Sequence, residues 1–196
     1  MTPKIMTSQE GLTAAEIGQG RECLERARDR VIAATAGLSE AQWGHRPASG
    51  GWSAAEIVEH MVVVQELVLG PIAHALDAAE ETPAADPDVI DAIVLTRLPD
   101  RSRRFPAPEP AQPGGRWTAA ESLQRLSANT ARLVGRLETA PGLRRRRVPA
   151  PPLRAITGGE HQWMDGYQWI LAVAMHTDRH TEQIREVKSE PGFPAS

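Results

Sequence analysis

The chain has 196 residues, the size of one ordinary domain, and a chain that long buries a core without disulfides or a structural metal. Its 25 acidic and 22 basic residues leave a net charge of −3, which gives no basic footprint for nucleic acid or for an anionic membrane. The one cysteine, Cys23, excludes an intramolecular disulfide. No apolar signal core follows Met1–Met6, and the uncharged apolar runs fall short of the roughly 18–20 residues that span a bilayer. A soluble, cytoplasmic protein is the expectation.

Four segments carry helical periodicity and none alternates as a strand does, so residues 1–196 read as a single all-α domain. The first segment runs from about Thr13 to Gly37. Ile17, Gly20, Leu24, Ala27, Val31, Ala34 and Leu38 recur in steps of three and four, as on a bundle helix, and Gly37 suits a C-cap. Ser39 opens a short extra turn. The second segment starts at Ser53, where Ser53-Ala54-Ala55-Glu56 is a capping box and Trp52 is placed to pack on Ile57. Its stripe is Ile57, His60, Val64 and Leu67, then Ile72 and Leu76. Pro71 predicts a kink near Gly70, with the helix running on to about Ala79.

Glu81 to Trp117 is proline-rich and reads as a long connection holding a short helix over Asp88–Leu98. A connection of that length suits a crossover along a bundle or a loop covering a site. The third helix opens on a second capping box, Thr118-Ala119-Ala120-Glu121, carries Leu123, Leu126, Thr130, Leu133 and Leu137, and stops before Pro141. Arg144–Arg147 lie in a second proline-rich loop that ends near Gly158-Gly159. The last helix spans about His161 to Lys188, with Trp169, Val173, His176, His180, Ile184 and Val187 on one face, and Pro191–Ser196 are expected to fray.

The registers give the histidines their weight. His60 follows Ile57 by three residues and precedes Val64 by four; His176 follows Val173 by three and His180 precedes Ile184 by four. All three therefore fall in core stripes, where an unpaired polar group costs free energy. Residues four apart on a helix share a face, so His176 and His180 can bind one ion and His60 can complete a three-histidine site. Three protein ligands leave a position open for water or substrate, which is the catalytic pattern. The other reading is three core histidines bonded to backbone or carboxylate. The zincin motif is absent, because Thr177 stands where H-E-x-x-H has its glutamate.

The remaining polar residues read more plainly. His45, His74 and His161 fit surface or capping roles. Cys23 lies one position off its stripe, as a half-buried thiol. Glu56, one turn before His60, belongs to the capping box, with orientation of His60 as the alternative. Asp178 and Glu182 read as a solvated face turned from the histidines. Arg144–Arg147 read as a wetted loop, or as a grip on an anionic substrate if that loop folds over the site. Trp163, Tyr167 and Trp169 read as core.

Two blocks carry a family resemblance. Gly51-Trp52-Ser53-x-x-Glu56-x-x-x-His60 and Gly166-Tyr167-Gln168-Trp169 through His176-x-x-Arg179-His180-x-x-Gln183-Ile184 resemble the motifs of the DinB-like superfamily, including its YfiT group. The helix order and long crossover agree over nearly the whole chain. The resemblance implies a four-helix bundle of up-down-down-up topology. It also implies a divalent metal, zinc or nickel most often, held by His60, His176 and His180, and it implies homodimers. Related proteins include S-transferases and isomerases that use a low-molecular-weight thiol, and others described as hydrolases.

Three functions compete. One is a metal-dependent enzyme acting on a small-molecule substrate, transferring a low-molecular-weight thiol cosubstrate to an electrophile or, as a close variant, hydrolysing an ester or amide. Another is a helical module that carries a metal and binds a partner without turnover. The third is a metal-free bundle. Neither nucleic acid nor a membrane is an expected partner.

Overall fold

The computed structural model describes residues 11–48 and 50–195; the expectation on the first residues lies outside these, as does Ser196. Its long helices are α1 (Ala14–Thr35), α3 (Ala54–Leu67), α6 (Ala119–Thr139) and α8 (Gly166–Lys188), with the shorter α2 (Glu40–Gly44), α4 (Ala73–Ala78), α5 (Pro87–Arg97) and α7 (Pro151–Ile156) between them. Capping boxes start α1 at Thr13/Glu16, α2 at Ser39/Gln42, α3 at Ser53/Glu56 and α6 at Thr118/Glu121. In each, a side-chain oxygen takes an amide that the first helical turn leaves unpaired. Pro71 does not end its helix. A single π-turn over Val68–Ile72 absorbs the missing N–H and joins α3 to α4. Ala54–Ala78 is thereby long and apolar enough to cross a membrane by length and composition, but Ile57, Val58, Met61 and Val62 are buried in the core.

The long helices form a four-helix bundle in which α1 packs on α8 and α6, and α3 on α6 and α8. Ion pairs and hydrogen bonds fix their directions. Tyr167 Oη donates to the Glu16 carbonyl near the start of both helices, and Lys188 Nζ to the Ala34 carbonyl at both ends, so α1 and α8 run parallel. Gln65 meets Thr130 and Asp77 faces Arg136, so α3–α4 and α6 also run parallel. Arg21 pairs with Glu138, which makes α1 and α6 antiparallel. This is the up-down-down-up order. It forces a crossover: α3–α4 is 25 residues, about 37 Å at 1.5 Å per residue, and the chain must retrace that length before α6 begins. Residues 79–118 make the return, through α5 and a 3₁₀ turn at Glu109–Ala111.

Several local expectations change. The last helix starts at Gly166 rather than His161, because Asp165 caps it against Gln168 and residues 163–165 pair as a strand. That strand, β2 (Trp163–Asp165), runs antiparallel to β1 (Arg147–Pro149), so the second proline-rich loop holds a small ribbon that periodicity did not predict. Such three-residue strands are too short to show alternation. Cys23 is buried in the core rather than half-buried. Tyr167 and Trp169 are core as expected, whereas Trp163 is half exposed. Phe193 folds back on the core and against His45, and the Pro194 carbonyl accepts from Gln42 Nε2 at 2.9 Å, so this part of the tail is tied down rather than frayed.

The basic run is not a wetted loop at its first residue. Arg144 bonds Glu16 (2.8 Å), Asp91 (2.5 and 2.9 Å) and Asp165 (3.1 Å), and lies 4.1 Å over the Tyr167 ring. It ties α5 to the starts of α1 and α8. Burial pushes the Asp165 carboxyl up to about 6 against the pull of Arg144. Arg145 and Arg146 pair with Glu81, and Arg147 donates to the Thr82 carbonyl, so the run is engaged and not free for an anionic substrate. Removing one partner of such a set leaves buried charge uncompensated. Arg144→Ala is therefore expected to lower the unfolding free energy by about 3 kcal/mol. Urea denaturation at pH 7 measures this; a loss below about 1 kcal/mol would put the network in the class of exposed ion pairs.

Candidate metal centre

His60 projects from the middle of α3, and His176 and His180 from successive turns of α8. The antiparallel packing of these helices brings the rings together. Their centroids lie 4.4–4.9 Å apart, and one ring nitrogen from each falls within a group spanning 4.8 Å. The His60 and His176 Nε2 atoms are 3.1 Å apart. His45, His74 and His161 stay outside. His45 lies edge-on to Phe193, His74 is exposed on α4, and His161 sits by Thr157 and Glu160.

The outward nitrogens are held. His60 Nδ1 lies 2.6 Å from the Ala111 carbonyl, and His180 Nδ1 lies 2.7 Å from Gln183 Oε1. A carbonyl oxygen only accepts, so His60 Nδ1 carries the proton and its Nε2 lone pair points at the other rings. The amide oxygen of Gln183 does the same for His180. Both histidines thus have the outer-shell bond that orients metal-ligating imidazoles. Trp52 flanks the group, with its ring 4.8 Å from that of His60 and 6.4 Å from that of His180. His60 is buried, while His176 and His180 keep part of their surface exposed.

Burial also sets the charge. Desolvation lowers the His60 pKa against the opposing Ala111 bond, and takes His176 well below the ordinary histidine value, helped by His180 and His60. His180 is pushed down to about 3 by burial and by His60. Three neutral imidazoles are what a divalent cation requires.

The crossover closes over this group. Ala111 is buried on His60, and Glu59, the residue before it, is 3% exposed. The Glu59 carboxylate accepts N–H bonds from Gly114 and Gly115 (both 2.9 Å) and Arg116 (3.1 Å), with the Arg116 guanidinium at 3.3 Å. Burial alone would raise its pKa; the amide bonds overcome that and hold it below the usual carboxylate range. On α8, Arg179 donates to the carbonyls of Asp100 and Arg103, and Arg101 pairs with Glu186. Glu56 keeps to its capping box and pairs with Arg46, so orientation of His60 falls to Ala111 instead. Asp178 and Glu182 face α1 through Arg30, but Asp178 is buried rather than solvated.

The sequence profile of the DinB superfamily matches residues 24–184. The chain belongs to the DinB superfamily. Among solved structures, YfiT from Bacillus subtilis, described as "a probable metal-dependent hydrolase with an unusual four-helix bundle topology", superposes with a TM-score of 0.51 at 14% identity, covering 96% of this chain and 91% of that one. At this identity the likeness is one of fold. No curated protein matches the chain by sequence.

Glu59, Ala111, Arg179 and Gln183 surround the histidines; Arg179 and Gln183 stand in the last-helix block that carries the family resemblance, whereas periodicity pointed to neither Glu59 nor Ala111. A charged residue directly before an inward histidine, as Glu59 is before His60 and Arg179 before His180, was the available signal.

The pH dependence follows from the histidines. In the unfolded chain they take up protons near pH 6.5, whereas in the folded protein His180 does so only near 3. Between these values the unfolded state binds more protons, so the histidines' contribution to stability falls as pH is lowered through 6.5 and is constant above it. Urea midpoints of metal-free protein should decline below pH 6.5, and the decline should be shallower in a His176→Ala/His180→Ala variant. Equal slopes would mean that these rings titrate normally in the fold.

Proposed function

We propose that this chain is a divalent-metal-dependent enzyme acting on a small molecule, with His60, His176 and His180 as the metal ligands. The observation that carries the reading is the convergence of three ring nitrogens within 4.8 Å, two of the rings being oriented from behind by Ala111 and Gln183. The chemistry of the donor set fits the ion, and one of its nitrogen pairs already has the spacing that a shared ion needs. At Zn–N distances of about 2.0–2.1 Å, two nitrogens on one ion lie roughly 3–3.4 Å apart. His60 and His176 Nε2 are 3.1 Å apart already. Imidazole suits zinc and nickel, and a set of three leaves room for a further ligand.

A divalent ion there supplies Lewis acidity and lowers the pKa of a bound nucleophile toward neutrality. The protein's own residues do the rest. Burial keeps the rings neutral, Ala111 and Gln183 fix which nitrogen faces inward, and the crossover covers His60. The nucleophile is water in a hydrolase and a low-molecular-weight thiol in a transferase. The description of YfiT supports the first, and the motif resemblance implies relatives of both kinds.

Elemental mass spectrometry on untagged protein is the first test. The expected result is about one zinc or nickel per chain, lost in His176→Ala/His180→Ala, with chelator lowering the Tm of the wild type alone, as for any ligand specific to the folded state. The loaded protein is then offered a thiol with chlorinated or epoxide electrophiles, and separately esters and amides. Thiol consumption identifies transfer, and cleavage without thiol identifies hydrolysis. A protein that holds no metal and takes up neither ion ends the enzyme reading and leaves three core histidines.

A further inference from the structure

The crossover is gripped on both sides of the histidine group, each time by the residue next to a histidine. On α3, Glu59 precedes His60 and holds three successive amides, those of Gly114, Gly115 and Arg116. On α8, Arg179 precedes His180 and holds the carbonyls of Asp100 and Arg103. One side chain thus takes the donors of the strap and the other its acceptors. Between the two grips the chain delivers the buried Ala111 carbonyl to His60 Nδ1 at 2.6 Å.

The two ends of this arrangement differ in what they lose on release. Gly114, Gly115 and Arg116 are exposed, so their amides turn to water at little cost once the carboxylate is gone. His60 is 3% exposed and has no such alternative when Ala111 withdraws. Its ring would then be free to move the proton to Nε2, the atom 3.1 Å from His176 Nε2. A proton there removes the lone pair that faces the other rings.

We propose that Glu59 is a positioning residue of the centre: by anchoring residues 114–116 it keeps the Ala111 carbonyl on His60 Nδ1 and so fixes the nitrogen that His60 turns toward His176 and His180. The consequence for metal affinity rests on the reading of the previous subsection, whereas the consequence for the His60 tautomer does not.

The test compares wild type, Glu59→Gln, which keeps the shape but places an NH₂ against the amides, and Leu133→Ala, which weakens the core away from the site. Long-range ¹H–¹⁵N spectra of the metal-free proteins report the His60 ring. Nδ1-protonated His60 is expected in wild type and Leu133→Ala, and a mixed or Nε2-protonated ring in Glu59→Gln. Zinc affinity, by competition with a chromogenic chelator, should fall about tenfold in Glu59→Gln, as for loss of an outer-shell partner, and hold in Leu133→Ala. Trypsin should cleave at Arg101, Arg103, Arg104 and Arg116 faster in Glu59→Gln than in wild type. If Glu59→Gln does not fold, Glu59→Asp, which withdraws the carboxylate by one methylene, is read the same way. A wild-type tautomer and zinc affinity in the variant overturn the proposal, as does an equal loss in Leu133→Ala. Unaltered strap cleavage beside lost affinity overturns the route through the strap. If wild type takes up no zinc, the metal-enzyme reading fails and the tautomer comparison alone decides this proposal.

Discussion

The burial of three neutral imidazoles against one another at the crossing of α3 and α8 is the constraint on which the rest of the structure turns. Each ring brings one donor and one acceptor into a region where an unmet polar group is costly. The donors of His60 and His180 are met from behind, by the Ala111 carbonyl and the Gln183 amide. The acceptors that remain are turned inward toward a common point. Core stripes therefore end at this level in polar atoms, and a backbone carbonyl brought to His60 meets one of them.

The topology supplies that carbonyl. Because α3–α4 and α6 lie side by side and point the same way, the chain between them must travel back along the bundle. The path carries it over the histidines, where Arg179 and Glu59 hold it in turn. A direct hairpin between antiparallel helices would have saved the crossover but left nothing to cover His60. The long proline-rich connection, unusual inside a compact domain, is explained by this.

At the starts of α1 and α8 a different polar set anchors the bundle, with Arg144 among Glu16, Asp91 and Asp165. It is closed and mutually satisfied, its three carboxylates taken up by the Arg144 guanidinium, which stacks on Tyr167. The contrast with the histidine group separates structural from chemical polarity within one core. Membership of the DinB superfamily and the fold shared with YfiT at 14% identity show that this helix order persists where the sequences have diverged.

Much of this was legible in the sequence. Capping boxes at Ser53 and Thr118 mark two long helix starts because the bonds involved span only three residues. Steps of three and four turned His60, His176 and His180 inward because a helix repeats every 3.6 residues. The Asp165–Gln168 box was the overlooked signal for the true start of α8. What the sequence could not disclose are partners fixed by distant chain segments. Ala111 lies 51 residues from His60, Gly114 lies 55 from Glu59, and Asp91 lies 53 from Arg144. The ribbon of β1 and β2, the burial of Asp178 against Arg30 and the return of Phe193 to the core belong to the same class. Local periodicity and capping are set by neighbouring residues and so determined the helices and the faces that carry the histidines. Which carbonyl meets His60 and which amides meet Glu59 depends on how a long crossover packs, and only the tertiary structure decided that.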